Sequence, residues 1–166
     1  MLYLIVQSLN ILVKGHAAVY LRKAVSLNGY LSMLIGVIVT IMVQSSSITT
    51  SVLTPLVAVG LIPLENMLPL TLGANIGTTI TGIMAATVVT SNPVEAWQVA
   101  LCHLMFNVIG ILIWYPIPFM RKIPLHGARL LGLHAEKNRW FPIIYVLVVF
   151  FAIPGVAYGI ALAATS

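Results

Sequence analysis

Two short stretches concentrate the chemistry of this 166-residue chain. The first, Gln44-Ser45-Ser46-Ser47-Ile48-Thr49-Thr50-Ser51, sets one amide and six hydroxyls in eight residues, inside a long apolar run. Each hydroxyl can donate to one partner and accept from another. A half-helix starting at such a turn also presents unpaired N–H groups and a positive dipole end. The second stretch is Gly73-Ala74-Asn75-Ile76-Gly77-Thr78-Thr79-Ile80-Thr81. Gly73 and Gly77, four apart, suit a close helix-packing face. With Asn75, Thr78 and Thr81 they equally suit a broken helix whose carbonyls and hydroxyls coordinate a cation. A pair of interrupted apolar segments is the sequence pointer to a transport site.

A single Ser or Thr in a membrane helix is ordinarily a structural hydrogen bonder, but six beside a Gln point to function. Neither stretch contains Lys, Arg, Asp or Glu. An anion there must be held by helix ends, hydroxyls and amides. A multivalent anion in so neutral a site needs a partner cation to offset its charge and desolvation. Sodium is content with carbonyl, amide and hydroxyl oxygens. Zinc is not expected, because no Cys or His groups stand at liganding spacing. No catalytic constellation, resident cofactor or further metal is expected.

The elements that position these stretches follow from composition. Only 7% of residues are charged, eight Lys or Arg and three Glu, and mean hydropathy is +1.08. A soluble domain carries about 25% charge. No charged coat can be made from so few residues, which excludes a water-soluble enzyme and a disordered tail. The chain is expected to be an all-α integral membrane protein in a single transmembrane domain over 1–166. Its net charge of +5 is no nucleic-acid footprint. It comes from Lys14, Arg22 and Lys23 and from the segment Arg121 to Arg139, both reading as cytosolic.

Apolar blocks fall at about 2–13, 31–62, 67–89, 97–119 and 141–164. If both basic clusters are cytosolic, an even number of crossings separates them. The blocks at 67–89 and 97–119 supply two. The block at 31–62 is too short for two full spans of about 20 residues each. It is therefore expected to form a re-entrant hairpin with Gln44–Ser51 at its tip. The block at 67–89 is expected to be the broken helix, and 97–119 and 141–164 further transmembrane helices. The basic segment 120–139 reads as a short helix on the membrane surface or a solvated loop.

Trp97, Trp114, Tyr115 and Trp140 stand at block ends, where interfacial aromatics anchor a helix. Glu65 and Glu95 sit beside turns and read as cap residues. His103 and Asn107 lie four apart on one block, where a helix-to-helix hydrogen bond is the expected use. The first residues, MLYLIVQSLNILVKG, look like the tail of a helix whose start is missing rather than a signal peptide.

The run VQSSSITTSVLTPLVAVGLIPLENMLPLTLGANIGTTITG closely resembles the second QSSS repeat of the type II sodium–phosphate cotransporter family. The likeness continues through ALCHLMFNVIGILIWYPIPF and KNRWF, with all elements in order at family spacing. The resemblance implies two inverted repeats, each with a re-entrant QSSS hairpin, around a midplane site. It implies symport, with sodium moving down its gradient to drive phosphate inward. By position, Gln44, Ser45, Thr78 and Thr81 would bind sodium, Asn75 would join them and shape the helix break, and Ser46 and Ser47 would face phosphate. Ala74 stands where many relatives have Ser.

Only one QSSS occurs in the chain. One half or a fragment is therefore expected, completed by a second repeat half in the bilayer. Two alternatives stay open: a sodium-coupled carrier of another oxyanion such as sulfate, and a non-transporting membrane subunit that needs a partner half. The short loops suggest a bacterial inner membrane as the plasma membrane concerned.

Overall fold

The computed structural model describes residues 28–165. The block at 2–13, the cluster of Lys14, Arg22 and Lys23, and the reading of the first residues as a helix tail lie outside the described residues. The described residues are helical throughout, without strands. By packing they form two compact units. The first ends at Lys122 and the second begins at Ile123.

In the first unit, α1 (Gly29–Val43) starts on the cap of Asn28, whose Oδ1 accepts from the Tyr30 N–H at 3.0 Å. It stops at Gln44, which takes a left-handed conformation, φ 58° and ψ 23°. Helix α2 (Ser46–Ala58) begins one residue later on the side-chain cap of Ser45. Its end is a Schellman closure. Gly60 has φ +75°, its N–H reaches the Val57 carbonyl at 3.0 Å, and the Leu61 N–H reaches Leu56 at 2.9 Å. Leu61 then packs on Leu56 beside Ile62 and Leu70, the small apolar core of this unit.

Helix α3 (Leu64–Ala86) runs parallel to α1 with its start in register. Asn66 Nδ2 donates to Ser32 Oγ at 3.2 Å. Further along, Gly36 faces the Leu70 backbone, Gly73 faces Met33, and Gly77 faces Val37 and Thr40. Parallel α1 and α3 require α2 to bring the chain back between them, so 29–62 is a helical hairpin whose two ends lie together. Its helices have 15 and 13 residues. At 1.5 Å per residue they reach roughly 20 Å, short of a bilayer core of about 30 Å.

The break expected within 67–89 does not occur. Helix α3 is continuous for 23 residues and even accommodates Pro69. The two glycines serve the other reading, close approach. A Cβ on Gly73 would strike the Met33 carbonyl, and one on Gly77 would lie 2.7 Å from Thr40 Cβ. The nearby hydroxyls bond within their own helix and need no unwound backbone. Thr78 Oγ1 donates to Ala74 at 3.3 Å, Thr79 Oγ1 to Ile76 at 2.7 Å and Thr81 Oγ1 to Thr78 at 2.8 Å.

Helix α4 (Pro93–Trp114) starts with Pro93 at its first turn and Glu95 beside it, as Glu65 stands in the first turn of α3. Carboxylates there face the positive helix end. The helix therefore begins and ends earlier than the expected 97–119, because Tyr115 to Ile117 interrupt it before Pro118 starts another. Tyr115 is no interfacial anchor. It is buried, its ring meets Tyr30 edge-on at 5.1 Å, and Arg121 lies over it at 5.2 Å from the ring centre. Burial raises the phenol above its usual pKa, and the Arg121 charge partly opposes this. The three tryptophans do remain at helix ends with exposed rings.

The basic segment forms a helix, α5 (Pro118–Lys137), with no buried residue. In the second unit, α6 (Phe141–Leu147), a π turn (Val148–Ala152) and α7 (Ile153–Thr165) make one apolar rod. The π turn precedes Pro154, whose ring would clash with a carbonyl four residues back and which has no N–H to give. The Ile153 N–H reaches Val148 instead, five residues back. Pro93–Trp114 and Phe141–Ala164 are the two described helices long and apolar enough to cross a membrane.

Candidate functional site

The turn between α1 and α2 holds its shape by local hydrogen bonds. The Gln44 N–H donates to the Thr40 carbonyl at 2.6 Å. Ser45 Oγ accepts from the Ile48 N–H at 3.3 Å, capping α2. Ser46 and Ser47 are the first two residues of that helix, so their N–H groups have no intrahelical acceptor. They point along the positive end of the helix dipole. A left-handed conformation costs a non-glycine residue about 1–2 kcal/mol. Gln44 bears that strain at the tip of the hairpin, the sort of position where strain accompanies function.

The site residues named from sequence fall into four groups. Gln44 and Thr81 are brought together: both line a cavity of about 360 Å³ with Ile41, Met84 and Ala85. Ser45, Ser46 and Ser47 share the turn with Gln44. Ser46 is half-buried and Ser47 exposed. Thr78 lies three residues before Thr81 on α3, half-buried. Asn75 is not brought to the turn. At 100° per residue it stands about 180° from the middle of the Gly73/Gly77 seam, on the side of α3 facing away from α1.

The hydroxyls of α3 are oriented as acceptors. Thr78 and Thr81 each spend the proton on a carbonyl of their own helix, which leaves oxygen lone pairs outward. Oxygen lone pairs without a competing proton are what a hard cation needs. Among the described residues no group of three or more His, Cys, Asp or Glu is placed to hold a metal ion.

One feature escaped the sequence reading. Thr40 and Thr49, both buried, join through their hydroxyls at 3.1 Å beneath the turn. Nothing in the spacing of Thr40 marked it. The helix-to-helix hydrogen bond expected of His103 and Asn107 is not made among the described residues. His103 is exposed at a separate cleft of about 470 Å³ shared with Gly82, Ala85 and Glu95. Asn107 Nδ2 is buried and has no hydrogen-bond partner among the described residues.

Fold and site together define a helical membrane protein with an uncharged polar turn set against apolar helices. The chain belongs to the Na+/Pi-cotransporter family, whose pattern matches residues 2–134. It is 45% identical over 172 residues to sodium-dependent phosphate transport protein 2B of Homo sapiens, covering 98% of this chain and 25% of that protein. It is 43% identical over 175 residues to sodium-dependent phosphate transport protein 2A of Rattus norvegicus, with 98% and 27% covered. The chain thus spans about a quarter of the length of these relatives. They are mammalian, and the expectation of a bacterial inner membrane finds no support in them. No solved structure matches the chain.

Proposed function

We propose that this chain is one repeat half of a sodium-coupled symporter of inorganic phosphate in the plasma membrane, completed by a second half. The observation that carries the proposal is the convergence of Gln44 and Thr81 on one small cavity, in a chain of this family. The hairpin is re-entrant, since neither of its helices is long enough to cross and both of its ends lie together. Gln44, Ser45, Thr78 and Thr81 supply oxygen atoms to sodium. Ser46 and Ser47 offer N–H and hydroxyl groups to phosphate. Asn75, on the far side of α3, faces the second half rather than this tip.

The absence of fixed charge accounts for coupling. Phosphate bound only to neutral donors retains much of its desolvation cost. A sodium ion beside it offsets that charge, and by reciprocity phosphate strengthens sodium binding. Sodium is thus a co-substrate. The direct test reconstitutes the complete protein carrying this segment in proteoliposomes and measures labelled phosphate uptake with sodium and then choline outside. Uptake only with sodium supports symport, and equal uptake in both overturns it. Competition by excess sulfate would instead mark a broader oxyanion carrier.

A further inference from the structure

The hydroxyls of Thr40 and Thr49 do not reach the tip of the hairpin, yet they are among the most deeply buried polar groups described, 0% and 2% exposed. Thr49 Oγ1 donates to the Ser45 carbonyl at 2.9 Å. Its single proton is thereby used, so it can only accept from Thr40, whose Oγ1 lies 3.1 Å away. The Thr40 carbonyl in turn accepts from the Gln44 N–H at 2.6 Å. The result is a closed ring of contacts: Thr40 to Gln44 through backbone, Gln44 to Ser45 through the chain, Ser45 to Thr49 and Thr49 back to Thr40.

Two consequences follow for the turn. The Ser45 carbonyl accepts from both the N–H and the hydroxyl of Thr49, at 3.1 and 2.9 Å, which occupies both of its lone pairs. That oxygen is withdrawn from ion binding, leaving the side chains of Gln44 and Ser45 as donors to a cation. The ring is also seated on α3. Gly77 lacks a side chain where Thr40 presses against it, and a Cβ there would come within 2.7 Å of Thr40 Cβ. Thr78 follows Gly77 directly, and Thr81 lies one turn beyond.

We propose that Thr40 and Thr49 are positioning residues for sodium: their hydroxyl pair holds the Gln44–Ser45 turn in register with Thr78 and Thr81 across the α1/α3 seam. The proposal rests on the sodium-site reading given above. A turn held only by its own backbone would move relative to α3, and a cation needs oxygens from both elements at once. A buried pair that merely stabilised the fold would lower the amount of protein without altering its response to sodium.

The test uses the complete protein, with sodium-activated phosphate uptake measured alongside surface amount by biotinylation. Thr49→Val keeps the shape of the side chain and removes its hydroxyl. The sodium concentration for half-maximal uptake is expected to rise on the order of fivefold, the worth of one net hydrogen bond. Thr49→Ser, which retains the hydroxyl, is expected to restore the wild-type value. The double variant Thr40→Val/Thr49→Val leaves no orphaned hydroxyl and is expected to shift sodium activation about as much as the single one, since the two groups act as one unit. It carries the test if Thr49→Val fails to reach the membrane. Unchanged sodium activation in these variants, or a fall in maximal rate that only tracks surface amount, overturns the proposal. Gln44→Ala in the same assay separates the two levels. A shift for Gln44→Ala with none for the valine variants overturns the positioning role alone. No shift for Gln44→Ala overturns the sodium-site reading and the positioning role with it.

Discussion

The α1/α3 seam and the rod Phe141–Thr165 are both apolar helical regions carrying glycines, yet they use them in opposite ways. Along the seam, Gly36, Gly73 and Gly77 each sit where an added Cβ would strike the neighbouring helix. In the rod, Gly155 and Gly159 have open space around them. The seam also buries polar side chains, Ser32, Thr40 and Thr79, each with a hydrogen bond inside the unit. The rod buries no residue of Phe141–Ala152 and exposes Phe150, Phe151, Ile160 and Leu162. Helices in a membrane gain little by burying apolar surface against each other, because lipid is as apolar as leucine. Close backbone contact and hydrogen bonds therefore decide which helices associate. The seam meets both conditions, and the polar turn stands on it.

Substitutions that treat the two regions alike should separate them most widely in the core. Leu70→Ala, at a residue 1% exposed, is expected to cost about 2–5 kcal/mol, while Leu162→Ala, at a residue 59% exposed, should change little. Thermal unfolding in detergent reads both, and equal losses would mean that the seam is not a packed core. Next in size is the glycine contrast. Gly73→Ala is expected to cost about 1–3 kcal/mol by pushing α1 from α3. Gly159→Ala should be neutral or slightly stabilising, by up to about 1 kcal/mol, because alanine is the better helix former.

The remaining predictions sharpen the role of the turn. Gln44→Gly relieves the left-handed strain, so it should hold or raise thermal stability by about 1 kcal/mol while weakening sodium activation. Gln44→Ala lacks that compensation. If both variants activate normally, the amide has no part in sodium binding. The smallest expected effect is the loss of a cap: Ser45→Ala should cost about 1 kcal/mol in stability. Its measured sodium dependence then tells whether the Ser45 hydroxyl does more than begin α2.

Much of this organisation was legible in the chain. The polar stretch Gln44–Ser51 interrupts an apolar run too short for two full spans, so a hairpin tip at that place could be read directly. Pro93 with Glu95 marked a helix start for a local reason. The Gly73/Gly77 pair was different, because a glycine pair serves a kink or a tight contact equally well. The presence of α1 alongside chose the contact. Tyr115 likewise has the composition of an interfacial anchor, and only the approach of Tyr30 and Arg121 turned it inward.

By itself the sequence determined membrane residence, the neutrality of the polar turn and the position of the hairpin tip, since each follows from composition or from local backbone preference. Tertiary structure alone decided that α3 stays whole, that Gln44 and Thr81 line one cavity while Asn75 lies on the far side of α3, and that Thr40 closes on Thr49. The reason is distance along the chain. Gln44 and Thr81 line the same cavity because α1 and α3 run parallel with glycines between them, and that depends on how far one backbone can approach another. Residue spacing within either helix carries no such information.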